Sequence, residues 1–256
     1  MALGIEQIEQ LEREYRIAFA GSYDHRDDSQ SEKSLQFSGA DLLGDEKLRQ
    51  LMGVLCSSLQ APNSIVAASL FAKYYSYLLL NAGFYSVMQL RRNLSLSLSN
   101  LTLVVPSDKW SPTIELKDEP SDEPKDISRE QLLLKMIHTV VEENLRPLYT
   151  KLAEITYIKS HVLWAHASYS VHHLYDVWSE KQGMTEAELA AILGKVQELN
   201  IEFQVIDHPI KAGEKLRIRK ECCLRCLLPE GSKCTTCPGL DERERVVALQ
   251  NYLKLK

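Results

Sequence analysis

The sequence lacks the excess of positive charge that is typical of nucleic-acid binders. It also lacks the uninterrupted apolar run of a membrane-spanning helix. Its formal net charge is −5. This argues against a nucleic-acid binder, because phosphate contacts need clustered lysine and arginine. Lys73 and Asn81 interrupt the most apolar segment, residues 64–90, whereas a membrane span needs about 20 mostly apolar residues. We therefore predict a buried core helix there, and at most a peripheral contact with a membrane.

The N-terminus has little positive charge. Residues 1–19 place Ile5, Ile8 and Leu11 at helical spacing, with four glutamates among the intervening positions. An export signal needs a positive start and an uninterrupted apolar stretch, so we predict an amphipathic helix and a cytoplasmic protein. Residues 20–40, which are rich in serine, aspartate and glycine, predict a loop.

Cysteine is scarce outside one short stretch. Five of the six cysteines lie within residues 222–237, CCLRCLLPEGSKCTTC, and only Cys56 lies elsewhere. Thiolate sulfur is the preferred ligand of zinc and of iron–sulfur clusters. A pair of structural disulfides is the alternative, but disulfides are rare in reducing compartments. The stretch therefore predicts a metal site.

Two sets of four ligands can be drawn from this stretch. Cys223, Cys226, Cys234 and Cys237 form two C-x2-C pairs separated by seven residues, which is typical of a compact structural zinc site. Cys222 and Cys223 form a vicinal pair, followed after ten residues by Cys234 and then by Cys237. Spacing alone does not choose between zinc and iron.

The second pattern, C-C-x10-C-x2-C, resembles the C-terminal signature of the FhuF-like ferric-siderophore reductases. The segment C-C-L-R before a proline-bearing loop, and C-x-x-C-P after it, carry the resemblance. Elsewhere only the length, the helix-rich character and the C-terminal position of the motif are similar. The resemblance implies that Cys222, Cys223, Cys234 and Cys237 hold a [2Fe–2S] cluster.

The resemblance also implies a cytoplasmic enzyme that passes one electron to the ferric ion of a siderophore and releases Fe(II). No flavin or nicotinamide fingerprint follows a predicted strand, so the electron donor is expected to be external, such as a ferredoxin or a flavin-dependent reductase. The alternative from the residues alone is a non-catalytic helical binding or scaffold protein. Zinc would then hold its C-terminal tail.

The hydrophobic periodicity predicts a mainly α protein with a small antiparallel β-sheet, an α+β fold. Leucines alternate with serines over residues 94–98, and apolar residues alternate again over 101–105, which predicts a β-hairpin near 94–117. We divide the chain into a helical siderophore-binding domain, 1–206, and a C-terminal cluster segment, 207–256. A closing helix is predicted to pack five apolar residues against the domain: Val246, Val247, Leu249, Tyr252 and Leu253.

The predicted helix over residues 160–175 carries no formally charged side chain but holds four histidines and three serines. A solvated helix face normally carries lysine or glutamate, so both faces are expected to be covered, or one lines a pocket. The pocket interpretation assigns substrate contacts to His161, Trp164 and His172. The commoner arrangement is a buried helix whose histidines bond to buried carbonyls.

A short predicted strand before the cysteines places Lys215, Arg217 and Arg219 on one face. Such a face is most often a solvated edge that resists aggregation. The functional interpretation is a cationic collar of Arg217, Arg219 and Arg225 beside the cluster. Such a collar attracts an anionic ferric chelate or an acidic electron donor.

Overall fold

The fold combines nine helices and two small sheets within the residues that the computed structural model describes, which are 3–20, 34–106, 110–118, 124 and 126–254. The predicted fold class, mainly α with a small sheet, is confirmed. The helices are α1 (Ile5–Tyr15), α2 (Gly39–Leu43), α3 (Asp45–Leu59), α4 (Ser64–Met88), α5 (Arg129–Val140), α6 (Arg146–Thr156), α7 (Ser160–Gln182), α8 (Glu186–Lys195) and α9 (Glu242–Lys254).

The larger sheet has four strands in the order β1-β4-β3-β2. They are β1 (Ile17–Phe19), β2 (Ser34–Ser38), β3 (Leu101–Pro106) and β4 (Thr113–Leu116). Strand β1 runs parallel to β4 and the other pairs are antiparallel, so the sheet is mixed and not antiparallel as predicted. The sequence analysis missed β1 and β2. Residues 21–33 of the loop predicted over 20–40 lie outside the described residues.

A hairpin forms within the predicted region, but its arms are β3 and β4, and the predicted first arm, residues 94–98, is not a strand. Leu94, Leu96 and Leu98 are buried, as their spacing predicts. However, the side-chain amide of Asn100 donates to the Ser95 carbonyl at 2.9 Å, so the chain turns between these two residues. The buried Asn144 amide donates to the Leu96 carbonyl at 2.7 Å. Side chains thus satisfy the backbone groups that a neighbouring strand would otherwise pair.

Helix α4 is the central helix, and most of its residues are buried. It continues through Gly83, where we note the close approach of α5: a Cβ added at Gly83 would lie 2.8 Å from the Met136 side chain. Glycine here allows two helices to pack closely. Among the described residues, no single helix has both the length and the apolar composition to cross a membrane, although α3 and α4 together pass that test across a bend of 92°.

The C-terminal part begins with a two-stranded antiparallel sheet, β5 (Gln204–Asp207) and β6 (Lys215–Ile218). Strand β5 spans the position where we divided the chain. The cysteine-bearing segment follows β6 and is closed by α9. In α9 only Leu249 is fully buried among the five apolar residues predicted to pack, and Val247, Tyr252 and Leu253 are each about half exposed. That part of the prediction was wrong, because Arg245 takes the inward position.

Candidate metal centre

The first two cysteines lie on a tight turn immediately after β6. Leu224 has φ 61° and ψ 8°, a left-handed conformation that is uncommon for a branched residue. This conformation turns the Leu224 amide toward Cys222, whose Sγ accepts its hydrogen bond at 3.4 Å. Neighbouring side chains diverge in an extended strand, so the turn lets both vicinal thiols approach the second cysteine pair.

The four cysteines of the C-C-x10-C-x2-C pattern meet as two pairs of thiols. Cys222 Sγ lies 3.8 Å from Cys237 Sγ, and the Cys223 and Cys234 thiols share a hydrogen bond. All six cysteines are free of disulfide bonds. Cys226 neighbours Cys222, where it helps to raise the pKa of that thiol.

The four thiols provide two pairs of sulfur donors. Among the described residues, no three His, Cys, Asp or Glu side chains converge as a single metal ion requires. A [2Fe–2S] cluster instead takes two thiolates on each of its two irons. Four thiols in two pairs match the number of sulfur donors that such a cluster takes.

Two cationic side chains adjoin the thiols. Lys73 Nζ, from helix α4, lies 3.9 Å from Cys223 Sγ, and the Arg219 guanidinium is a second source of positive charge there. The hydrogen bond from Cys234 is the largest cause that lowers the pKa of Cys223, and both cations act in the same direction. The pKa of Cys234, as the donor, is raised. The surroundings thus stabilise a thiolate at Cys223.

Two buried donors of Arg219 have no hydrogen-bond partner, although its guanidinium also interacts with the Cys223 thiol. Its guanidinium stacks on Tyr169 of α7 at 4.9 Å, while its Nε and Nη1 are buried without a hydrogen-bond partner. Unsatisfied buried donors are rare in folded proteins because each one costs desolvation free energy. Donors in this position beside the thiols suit an anionic group held by the cysteines, and the residues therefore fit a [2Fe–2S] cluster.

Contacts from three directions hold the cysteine-bearing segment in place. Cys223 packs against Val66 and Leu70 of α4. Arg217 on β6 forms an ion pair with Asp176 of α7. Arg245 on α9 donates to the carbonyl oxygens of the segment at 2.7 to 3.2 Å, namely those of Thr235, Cys237 and Leu240.

The loop between the two cysteine pairs folds back on itself at Gly231. A Cβ added there would lie only 1.9 Å from the Arg225 carbonyl oxygen. Only glycine permits this close approach of two backbone stretches. The turn brings the end of the ten-residue segment between Cys223 and Cys234 back toward its start.

The three predicted substrate residues on α7 do not line a common pocket. His161 is exposed, and its Nε2 lies 3.7 Å from Glu221; Trp164 is buried edge-on against Tyr149. Both line a cavity of about 480 Å³. His172 instead packs on Phe203 with ring centroids 5.0 Å apart, and burial lowers its pKa to about 4. Trp164 and His172 are thus packed against aromatic neighbours, whereas His161 is exposed.

The predicted cationic collar is divided among three environments. Arg217 is neutralised by Asp176, and Arg219 points inward to the thiols. Arg225 is exposed on the loop between the cysteines and lines a separate pocket. The three arginines therefore do not form one exposed cationic surface.

That separate pocket, of about 740 Å³, lies against the outer face of α4. The pocket was not predicted, because residues 64–90 were expected to form a helix buried in the core. Tyr74 and Tyr77 are in fact each 38% exposed. Tyr74, Tyr77, Leu78 and Asn81 all line the pocket, and their i, i+3, i+4, i+7 spacing is the signal that would have placed them on one face.

A comparison with protein families finds one match. The family model described as "Ferric iron reductase FhuF-like transporter" matches residues 69–199, which is just over half of the chain and ends before the cysteine-bearing segment. A comparison with curated proteins finds no significant match.

Proposed function

The chain belongs to the family of FhuF-like ferric iron reductases, and from this premise we propose that it is a cytoplasmic reductase that releases iron from ferric siderophores. The observation that carries the proposal is the meeting of four free thiols as two pairs beside Lys73 and Arg219. The matched region contains Lys73, so a helix of the family domain reaches the cysteines. The family match and the thiols therefore support one site.

Cys222, Cys223, Cys234 and Cys237 would hold a [2Fe–2S] cluster. When bound, such a cluster supplies a reversible one-electron step, at a potential set by its charge, hydrogen bonds and exposure. Lys73 and Arg219 would offset the negative charge of the four thiolates and of the bridging sulfides. The turn at Leu224 and the three hydrogen bonds from Arg245 would hold the thiols in position.

The substrate is a ferric ion held by the hard oxygen donors of a siderophore. Adding one electron converts Fe³⁺ to Fe²⁺, whose lower charge weakens its bonds to those oxygens. Fe²⁺ and the iron-free siderophore then leave. We propose that an external ferredoxin or flavin-dependent reductase supplies the electron in each cycle.

The first test is chemical analysis of aerobically and anaerobically purified protein. We expect two irons and two labile sulfides per chain, a red-brown colour, and a one-electron paramagnetic signal after reduction. The reduced protein, mixed with a ferric siderophore in a single turnover, should yield one Fe²⁺ per cluster, measured by a ferrous-specific chelator. Colourless protein with one zinc per chain would overturn the proposal.

The second test separates the two ligand sets. We expect Cys222→Ser to lose most of its iron and sulfide, because it removes one member of a thiol pair. Cys226→Ser should keep both, since the cluster would not use this thiol. The opposite result, with iron retained in the first variant and lost in the second, would show that the ligand set is wrong.

A further inference from the structure

The pocket beside α4 is bounded by two parts of the chain that are far apart in sequence. One wall is the outer face of α4, with Tyr74 and Tyr77. The opposite wall is the loop between the cysteine pairs, with Arg225, Leu228 and Gly231. Its volume, about 740 Å³, lies within the range of pockets that take small ligands, roughly 300 to 1,000 Å³.

Aromatic side chains supply much of the lining. Tyr15, Tyr74, Tyr77 and Trp110 all contribute to it. Apolar and aromatic side chains with a few polar groups are the usual lining of a small-molecule site.

The formal charges of the lining balance. The lining contains two arginines, Arg16 and Arg225, and two glutamates, Glu14 and Glu230. A pocket for a polyanionic ligand would be expected to carry a clear excess of positive charge. This lining instead suits a complex of low net charge.

The pocket lies next to the thiols. Lys73 Nζ lies 3.9 Å from Cys223 Sγ and 4.9 Å from the centre of the Tyr74 ring. One ammonium group therefore contacts both the candidate metal centre and the pocket lining. A ligand in the pocket would also contact the loop that joins Cys223 to Cys234.

We propose that this pocket binds the ferric siderophore, as a chelate of low net charge, with Tyr74 and Tyr77 as its main contacts. The inference rests on the proposed function and adds the location of the substrate. It replaces His161, Trp164 and His172 as substrate contacts. It retains Arg225, which lines the pocket.

The test uses a chelate that cannot be reduced, so that binding is measured apart from electron transfer. The probe is the neutral gallium(III) complex of a cyclic trihydroxamate, titrated into the purified full-length protein and followed by calorimetry. We expect Tyr74→Ala and Tyr77→Ala each to weaken binding about tenfold, which corresponds to about 1.4 kcal/mol, because each removes an aromatic ring from the lining. Both rings are partly exposed, so thermal melting and iron content should change little.

His161→Ala is the matched control, because His161 lies beside Glu221, next to the cysteines, but lines a different cavity. We expect it to bind the gallium complex as the unaltered protein does. The trianionic gallium tris-catecholate should bind more weakly than the neutral complex. Tighter binding of the trianion would contradict the assignment of ligand charge.

The result that overturns the pocket assignment is unchanged binding in both tyrosine variants, loss of binding in His161→Ala alone, or no binding by the unaltered protein. The proposed function has a separate outcome. If the reduced protein fails to release Fe²⁺ while the gallium complex still binds in a tyrosine-dependent way, the pocket stands and the reductase proposal fails. If Fe²⁺ is released but the tyrosine variants bind normally, the reductase proposal stands and the pocket assignment fails.

Discussion

Lys73 is the residue that connects the family domain to the cysteine-bearing segment. In the sequence it only interrupts an apolar run, but in the structure its ammonium lies 3.9 Å from a thiol that is 150 residues away. Burial is the largest cause that lowers the pKa of Lys73, and the neighbouring thiols oppose that shift. The position is costly for a lysine unless an anionic group is held close to it.

Replacing Lys73 by methionine tests this role. We expect the midpoint potential of the cluster to fall by on the order of 100 mV, because a unit charge 4 to 8 Å away contributes about 2 to 4 kcal/mol at an effective dielectric constant near 20. The sign follows from charge: a cation favours the more negative, reduced state. A redox titration monitored by paramagnetic resonance measures the shift.

Lys215→Met is the control for that experiment. Lys215 is exposed and forms an ion pair with Asp207 at the surface of β6, so its removal should leave the potential nearly unchanged. An equal shift in both variants would show that the effect is not specific to Lys73.

Among the elements, α9 supplies hydrogen bonds to the C-terminal half of the cysteine-bearing segment. Its apolar residues contribute little packing, because several of them are exposed. Arg245 is instead buried and donates to the carbonyl oxygens of three residues in the segment. Hydrogen bonds from a charged donor contribute roughly 1.5 to 3 kcal/mol, which is enough to hold a loop that has little apolar contact.

Arg245→Met removes these bonds and leaves three carbonyl groups without their donor. We expect lower iron occupancy and at least a tenfold loss of hydrogen-exchange protection in the amides of residues 234–240. Arg243→Met, on the same helix but exposed, should behave as the unaltered protein. Equal protection in the two variants would contradict the role of Arg245.

On the scale of the whole molecule, the packing of α7 against α4 buries a neutral histidine. His166 Nε2 lies 3.0 Å from Ser69 Oγ. Burial is the largest cause that lowers the pKa of His166 from 6.5 to about 3, and the charges of Arg219 and Lys73 lower it further. The unfolded chain therefore binds more protons than the folded protein between pH 6.5 and 3.

Linkage then fixes the sign of the pH dependence. The contribution of His166 to the free energy of unfolding is fully present above pH 6.5 and decreases as the pH falls, by about 1.4 kcal/mol per unit. By pH 5 this loss is about 2 kcal/mol. Denaturant unfolding of His166→Gln at pH 7.5 and at pH 5 should show a correspondingly smaller difference between the two pH values.

Visible absorbance recorded in the same samples separates loss of the cluster from unfolding. His138→Gln is the control, because His138 is exposed and ion-paired with Glu143 at the surface. This variant should keep the full pH dependence of the unaltered protein. If His166→Gln keeps it as well, the buried histidine is not its source.

Sequence by itself determined the features that depend on neighbouring residues. Helix starts were readable where a hydroxyl side chain accepts from the third residue beyond it, as at Ser128 and Thr185. The same holds for the buried stripe of α7 and for the cysteine spacing. These features follow from the 3.6-residue period and from local hydrogen bonds, which a short window contains.

Only the tertiary structure decided how distant parts meet. Four features join segments that are separated in the chain. They are the pairing of Cys222 with Cys237, the approach of Lys73 to Cys223, the hydrogen bonds from Arg245 and the tyrosine-lined pocket. The strands β1 and β2 were likewise missed, because short strands are stabilised by partners elsewhere in the sheet. Which face of a helix stays open is set by what packs on the others, and composition alone does not contain that information.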